Sequence, residues 1–137
     1  MGMFPRAGSL FGLVLLAAAC GGGAPAATAA AGDVTVQVKE YSVSLSKTPS
    51  AGSVKLVVRN TGSIVHDLQI LKTDLAPDKL PVDNAKAKED GKVSGTPGIN
   101  PGESTTLTVE LQPGNYVFIC NQPGHYSLGT RLQVVVK

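Results

Sequence analysis

One cysteine and two histidines are the residues whose types and spacing point most clearly to chemistry. Cys120 and His125 are separated by Asn-Gln-Pro-Gly, and His66 lies 54 residues before the cysteine. The sequence contains no other histidine, and its second cysteine, Cys20, lies near the N-terminus. A thiolate and two imidazoles form the ligand set of a trigonal copper site, which usually has a weak axial methionine. The only methionines, Met1 and Met3, lie at the very start of the chain, so no axial methionine is available.

The residues between Cys120 and His125 predict a tight loop. Pro and Gly favour a chain reversal, and Gly124 tolerates backbone angles that other residues resist. His66 must arrive from another part of the chain, and it follows the turn sequence Asn-Thr-Gly-Ser at 60–63. This placement is typical of one end of a β-sandwich, where loops gather.

These residues have two other interpretations. A lone cysteine at a strand end is usually a small buried hydrophobic residue, and a lone histidine in a sheet is usually a polar residue with ordinary partners. Zinc also binds Cys-His-His sets that leave one position open. The spacing of Cys120 and His125 across Pro-Gly favours metal binding over two unrelated structural residues. A catalytic zinc site is disfavoured because the sequence has no candidate general base near the three residues.

Alternating apolar and polar residues predict short strands through the body of the chain. Valines alternate with polar residues over 34–38, and after a one-residue slip at Glu40, interpreted as a bulge, the alternation continues to Leu45. Further strands are predicted at 54–59, 64–71, 105–111, 116–120 and 130–136, with His66 at the head of the second of these. Gly, Pro and Asn turns separate them, which predicts an all-β antiparallel sandwich.

Residues 73–102 interrupt this pattern. The segment contains four prolines, many charges and few large apolar residues. It predicts a long excursion over the surface, with a short helix over residues 82–90.

The N-terminal segment predicts export and lipid attachment. Residues 1–19 combine a basic start with an apolar run that is too short to span a bilayer, as in a signal peptide. Ala-Ala-Ala-Cys-Gly at 17–21 resembles a bacterial lipobox, in which Cys20 would be acylated and become the first mature residue. The alternative is ordinary signal cleavage near Ala31. Residues 20–32 are almost entirely Gly, Ala, Pro and Thr, which predicts a flexible tether before a single domain at 33–137.

The sequence over 60–66 and 116–125 resembles the cupredoxins, the small blue-copper proteins, and the resemblance extends over residues 33–137. It implies a Greek-key β-sandwich that binds one copper ion, Cu⁺ or Cu²⁺, through His66, Cys120 and His125. The family places its axial methionine five residues after the second histidine, where this chain has Thr130. Copper is therefore favoured over zinc, but the axial contact departs from the family.

Thr130 leaves three outcomes open, because a hydroxyl is a hard donor that binds Cu⁺ poorly. Copper stays three-coordinate beside Thr130, or a water or the hydroxyl binds Cu²⁺ weakly, or the site binds metal without redox activity. Loss of a thioether favours a higher reduction potential, whereas an oxygen donor lowers it. Asn60 and Asn121 are implied to tie the ligand loops together, with ordinary turn chemistry as the alternative. Asp67 is expected to point to the opposite face of its strand, as a surface residue or as one that supports the ligands.

The resemblance implies a single-electron carrier rather than an enzyme. Such a carrier would be a lipid-anchored monomer on the extracytoplasmic side of the membrane, in the periplasm or on the cell surface. It would meet membrane redox proteins transiently through His125 and an uncharged patch formed by Pro123, Gly124, Tyr126 and Leu128. The alternatives are a copper-binding or copper-delivery lipoprotein without electron transfer, and a degenerate structural module.

Composition and counts exclude several other functions. Arg6 is the one charged residue before Cys20, so the chain from Cys20 onward carries a formal charge of +1 instead of +2. This balance gives no reason to expect nucleic-acid binding. A binuclear copper centre needs two cysteines in its loop, and a multicopper oxidase needs many histidines. No hydrolase triad order, phosphate-binding loop or metalloprotease helix is visible.

Overall fold

The computed structural model describes residues 32–137, which form two four-stranded sheets and one two-stranded sheet. The predicted signal peptide, Cys20 and the predicted tether up to residue 31 lie outside the described residues. Within the described part of the chain, no helix is long and apolar enough to cross a membrane. The strands are β1 Val34–Lys39, β2 Ser42–Leu45, β3 Gly52–Asn60, β4 Gln69–Lys72, β5 Val82–Asp83, β6 Lys86–Ala87, β7 Lys92–Gly95, β8 Ser104–Leu111, β9 Gly114–Ile119 and β10 Arg131–Val136, and the helix α1 is His125–Leu128.

The two large sheets have the orders β2-β1-β3-β8 and β10-β9-β4-β7. The chain crosses to the second sheet after β3, returns after β7 and crosses again after β8, and no closed barrel forms. This confirms the all-β sandwich. One pairing differs from the antiparallel expectation, because β1 and β3 run parallel. The reason is that β2 reverses the chain and the loop over 46–51 reverses it again, so β3 runs in the direction of β1.

The core lies between the two sheets and ends at the cysteine. Alternate residues of β1 point inward, and Val36 and Val38 are fully buried. They pack in one cluster with Phe118 of β9 and with Cys120, which follows that strand. Burying one such apolar side chain stabilises the fold by about 1.5–3 kcal/mol. The thiol is therefore part of the main buried cluster of the domain.

The bulge predicted at Glu40 is wrong. Lys39 lies opposite Ser42 in the β1–β2 pair, so Glu40 and Tyr41 form the turn of a hairpin. The slip in the alternation marks a chain reversal, because β2 folds back beside β1 instead of continuing it.

The helix predicted over residues 82–90 is also wrong. Strands β5 and β6 form a hairpin there, and its turn residues Asn84 and Ala85 have φ angles of 48° and 63°. Two successive positive φ angles match the two-residue turns that suit hairpins. Leu80 and Ala87 pack against Ile119 in a second buried cluster, so this excursion covers the end of β9.

The strand predicted at 64–71 is shorter than expected. Strand β4 begins only at Gln69, and His66 lies before it, in an isolated bridge with Ile99. The segment over 64–68 is irregular, which changes the direction of each side chain in it.

Candidate metal centre

The three predicted ligands converge at one end of the sandwich. Nδ1 of His125 lies 3.3 Å from Sγ of Cys120 and 3.2 Å from Nδ1 of His66. The three ligand atoms all lie within 4.8 Å of one another. His66 and Cys120 are fully buried, and His125 is 9% exposed. The structure thus brings together Cys120, which directly follows β9, His66 from the irregular segment before β4, and His125 at the start of α1.

Backbone hydrogen bonds fix the loop that carries Cys120 and His125. Gly124 adopts a φ of 83°, the left-handed region that glycine enters without strain, and α1 starts at the next residue. The N–H of Cys120 donates to the carbonyl of Thr130 at 3.0 Å, and the N–H of Thr130 donates to the carbonyl of His125 at 3.1 Å. Both ends of the loop, at Cys120 and at His125, are therefore hydrogen-bonded to the backbone of Thr130.

Asn60 holds the segment that carries His66. Its Nδ2 donates to the carbonyls of Ile64, at 2.7 Å, and Ile99, at 2.8 Å. His66 and Ile99 exchange backbone hydrogen bonds of 3.2 and 2.7 Å. Asn60 thus fixes one ligand segment against residue 99.

Asp67 makes the connection between the two ligand segments. Its carboxylate accepts from the N–H of Asn121 at 2.7 Å and from Nε2 of Gln122 at 2.9 Å. Its own N–H donates to Sγ of Cys120 at 3.4 Å. The expectation that Asp67 lies on an opposite face is wrong, because residues 64–68 are irregular and Asp67 turns inward to 6% exposure.

Asn121 fastens the ligand loop to the β5–β6 hairpin. Its Oδ1 accepts from the N–H of Ala87, and its Nδ2 donates to the carbonyl of Ala87 and to Oε1 of Glu89, each at 2.9 Å. Tyr126 makes a similar link, since its hydroxyl accepts from the N–H of Leu80 at 2.8 Å. Tyr126 is 2% exposed, so its predicted place in a surface patch is wrong.

The β1–β2 turn touches both histidines, which the sequence reasoning missed. Oε1 of Glu40 lies 3.5 Å from Nε2 of His66. The ring of Tyr41 meets the ring of His125 edge-on, with centroids 6.1 Å apart. The signal was the slip in alternation at Glu40, because two residues that break a strand pattern often form a turn.

The Glu40 carboxylate is held by the segment before His66. It accepts from the N–H of Ser63 at 2.7 Å, from Oγ of Ser63 at 3.1 Å and from the N–H of Ile64 at 3.0 Å. Its own backbone N–H and these donors lower the pKa of Glu40 to about 2. The group is therefore an anion at any physiological pH.

Solved structures resemble this fold, although no protein-family model and no curated protein matches the sequence. Dithionite-reduced auracyanin from the photosynthetic bacterium Roseiflexus castenholzii is 24% identical, over 80% of this chain and 99% of that one, with a TM-score of 0.57. Rusticyanin from Thiobacillus ferrooxidans is 20% identical over 79% of both chains, with a TM-score of 0.59. Azurin Az-iso2 from Methylomonas sp. strain J is 18% identical over 79% of this chain and 99% of that one, with a TM-score of 0.55. This chain has the cupredoxin fold.

The His-Cys-His cluster of this cupredoxin domain is consistent with a type 1 copper site. Atoms bound to one ion at about 2.0–2.3 Å lie no more than about 4.6 Å apart, close to the separations found here. A soft thiolate with two imidazoles is the donor set that copper takes in such sites.

Protonation in the cupredoxin domain favours neutral ligands before metal binds. Burial raises the pKa of Cys120 to about 11, although the hydrogen bond from Asp67 opposes this shift. Burial, with His66 close by, lowers the pKa of His125. At neutral pH the thiol is thus protonated and His125 is neutral. A metal ion must therefore displace a proton from Cys120, whereas it can bind His125 without displacing one.

Thr130 occupies the axial position of the family pattern and is fully buried. Its backbone joins the Cys120 and His125 segments, but its Oγ1 has no hydrogen-bond partner among the described residues. A buried hydroxyl without a partner usually has a specific reason. The Thr130 hydroxyl is therefore a buried oxygen that the described residues do not satisfy.

Proposed function

We propose that this chain binds one copper ion through His66, Cys120 and His125 and carries single electrons. The observation that carries the proposal is the convergence of one thiol and two imidazole Nδ1 atoms in a cupredoxin sandwich. When bound, copper supplies a one-electron change between Cu⁺ and Cu²⁺. Sulfur suits the reduced ion and imidazole suits both.

The chain's own contribution is to keep the three ligands in place in both states. Each ligand segment is tied by hydrogen bonds to its neighbours, and Asp67 joins the two segments directly. Cys120 belongs to the main core cluster. Packed interiors resist rearrangement, and a site that does not rearrange exchanges electrons quickly.

An uncharged patch around His125 supports transient docking of a redox partner. His125 is the most exposed of the three ligands, and Tyr41 lies against its ring. Pro123 is also exposed. Tyr41 is 44% exposed, and three further exposed large apolar residues lie within three positions of a ligand along the chain: Ile64 at 42%, Val65 at 39% and Leu128 at 59%. Small apolar surfaces of this kind suit weak, short-lived complexes of a monomer.

The proposed location is the extracytoplasmic side of a membrane, held by a lipid on Cys20. The support is the lipobox-like sequence at 17–21 and the tether that follows it. A tether lets a docking surface reach membrane redox proteins while the domain stays near them.

The test is an optical and electron paramagnetic resonance study of a chain beginning at Gly32. This chain contains every strand of the fold and has Cys120 as its one thiol. Cu²⁺ is expected to produce an intense thiolate-to-copper absorption that ascorbate bleaches and an oxidant restores. A copper-loaded protein that stays colourless would overturn electron transfer as the function.

Copper delivery is the second candidate, and the replacement of the axial methionine by Thr130 favours it. A weaker ligand set lets an ion leave more easily. Measured transfer of Cu⁺ to an acceptor protein within minutes would support delivery. Release over many hours would exclude it.

Substitutions of Thr130 separate the axial possibilities. Thr130→Val should leave the metal-free protein as stable as before or more stable by up to about 1 kcal/mol, because Oγ1 has no partner to lose. Thr130→Met should shift the copper spectrum and reduction potential toward those of methionine-containing cupredoxins. The measurements are denaturant unfolding and the spectra of both variants. If both variants keep the original copper spectrum, Thr130 is not at the axial position.

A further inference from the structure

The ring of His66 has one nitrogen that no hydrogen bond satisfies. Its Nδ1 faces the metal centre, 3.2 Å from Nδ1 of His125. Its Nε2 is buried and has no hydrogen-bond partner among residues 32–137. Oε1 of Glu40 lies 3.5 Å from it.

The chemistry of imidazole makes this nitrogen a donor once metal binds. A neutral imidazole that binds metal through one nitrogen carries its proton on the other. A buried N–H without an acceptor costs about 1–3 kcal/mol. The 3.5 Å separation is slightly beyond the usual N–H···O range, which ends near 3.2 Å. A small approach of the two groups would therefore complete the bond.

We propose that Glu40 is a positioning residue for the metal centre. Its carboxylate accepts the Nε2–H of His66, selects the tautomer that leaves Nδ1 free for copper, and favours Cu²⁺ over Cu⁺. The part that concerns copper rests on the proposed function. The part that concerns the tautomer applies to the metal-free protein as well.

The surroundings of Glu40 support a positioning role. Three hydrogen bonds from Ser63 and Ile64 hold its carboxylate on the segment that carries His66. A methyl group added at Gly62 would overlap the carboxylate, with its Cδ only 2.8 Å away. The absence of a side chain at Gly62 thus leaves room for the carboxylate where it is.

An anion at this place changes what the imidazole gives to the metal. A carboxylate that accepts from a metal-bound histidine fixes the ring and increases its basicity. A more basic ligand stabilises the more highly charged ion. Glu40 should therefore lower the reduction potential, opposing the rise expected from the loss of an axial thioether at Thr130.

Three variants of the chain beginning at Gly32 test the proposal. Glu40→Gln removes the charge and keeps the size of the side chain. Gly62→Ala keeps the charge but displaces the carboxylate, since only the end of a flexible side chain must move. Glu89→Gln is the matched control, because Glu89 contacts the ligand loop through Asn121 and touches neither histidine.

The first readout is the reduction potential of the copper-loaded protein. Glu40→Gln and Gly62→Ala should each shift the ratio of oxidised to reduced protein at least tenfold toward the reduced form, which is 59 mV. Glu89→Gln should change that ratio less than threefold. Equal shifts in Glu40→Gln and Glu89→Gln would overturn the proposal, since loss of a nearby charge would then explain both.

The second readout is independent of redox activity. Nitrogen–proton correlation spectra of the metal-free protein should show His66 protonated on Nε2, and Gly62→Ala, which moves the acceptor away, should shift this proton toward Nδ1. An unchanged tautomer in Gly62→Ala would overturn the proposal even if the copper site is normal. If the protein binds no copper, the proposed function fails, and the tautomer measurement still decides the role of Glu40.

Discussion

Replacing Cys120 with serine is expected to abolish the intense visible absorption of the copper-loaded protein and to lower its Cu⁺ affinity. The absorption requires a thiolate bound to copper, and a serine hydroxyl is a hard, neutral donor that binds Cu⁺ poorly. Loss of a residue that merely supports a ligand costs roughly 10–100-fold in metal affinity. Loss of the thiolate itself should exceed roughly 100-fold, measured by competition with a Cu⁺ chelator.

The same substitution should remove the pH dependence of copper binding. The pKa of Cys120 is raised to about 11 by burial, so at neutral pH copper must displace one proton from the thiol. Affinity should therefore rise about tenfold per pH unit below that pKa. His125 adds no proton near neutral pH, because burial lowers its pKa. Calorimetry in buffers of different ionisation enthalpy should show about one proton released by the native protein and none by Cys120→Ser.

The fold of Cys120→Ser provides the control. Serine is close to cysteine in size and can still accept from the N–H of Asp67, which now donates to Sγ. The far-ultraviolet circular dichroism of the metal-free protein should therefore stay native. A Cys120→Ser protein that folds and keeps the visible absorption would show that another group, not this thiol, binds copper.

The parts of the site that sequence could predict are those set by local chemistry. The Pro-Gly pair predicted the loop between Cys120 and His125, and α1 begins directly after Gly124. Alternation predicted the strands on either side of the core, because period-two burial holds wherever one face of a sheet is buried. The three ligands meet because the segments that carry them lie at the same end of the sandwich.

The parts that could not be predicted depend on long-range contacts of charged residues. Glu40 and Asp67 look like ordinary surface acids in the sequence, and their hydrogen bonds join positions more than 20 residues apart. The alternation of apolar and polar residues also did not show where a strand begins, since the predicted strand at 64–71 begins only at Gln69. The hairpin at Asn84 was missed because Asn-Ala lacks the glycine that usually marks such turns.

Replacing Asp67 with alanine is expected to cause a large loss of stability in the metal-free protein, about 2–4 kcal/mol. The carboxylate accepts from the buried N–H of Asn121 at 2.7 Å and from Nε2 of Gln122 at 2.9 Å. Hydrogen bonds to a charged group contribute about 1.5–3 kcal/mol, and a buried donor left without a partner adds to the cost. The measurement is urea unfolding of metal-free protein, with Asp67→Asn as the control that keeps the shape and one acceptor oxygen.

Copper should increase the cost of Asp67→Ala, which distinguishes a link between the ligand segments from general damage. The carboxylate joins the segment of His66 to the segment of Cys120, and a bound ion would join the same two segments through its ligands. Binding to the folded state alone stabilises that state by an amount that falls as affinity falls. Loss of a residue that supports the ligands lowers metal affinity roughly 10–100-fold, so the variant should lose more stability relative to the native protein with copper than without it, whereas damage away from the site would cost the same in both states. If metal-free Asp67→Ala unfolds at the same urea concentration as the metal-free native protein, the carboxylate does not hold the two segments together. The stability of Asp67→Asn should lie between those of the native protein and Asp67→Ala. Its amide oxygen can still accept from the N–H of Asn121, but it has no second oxygen to accept from Gln122.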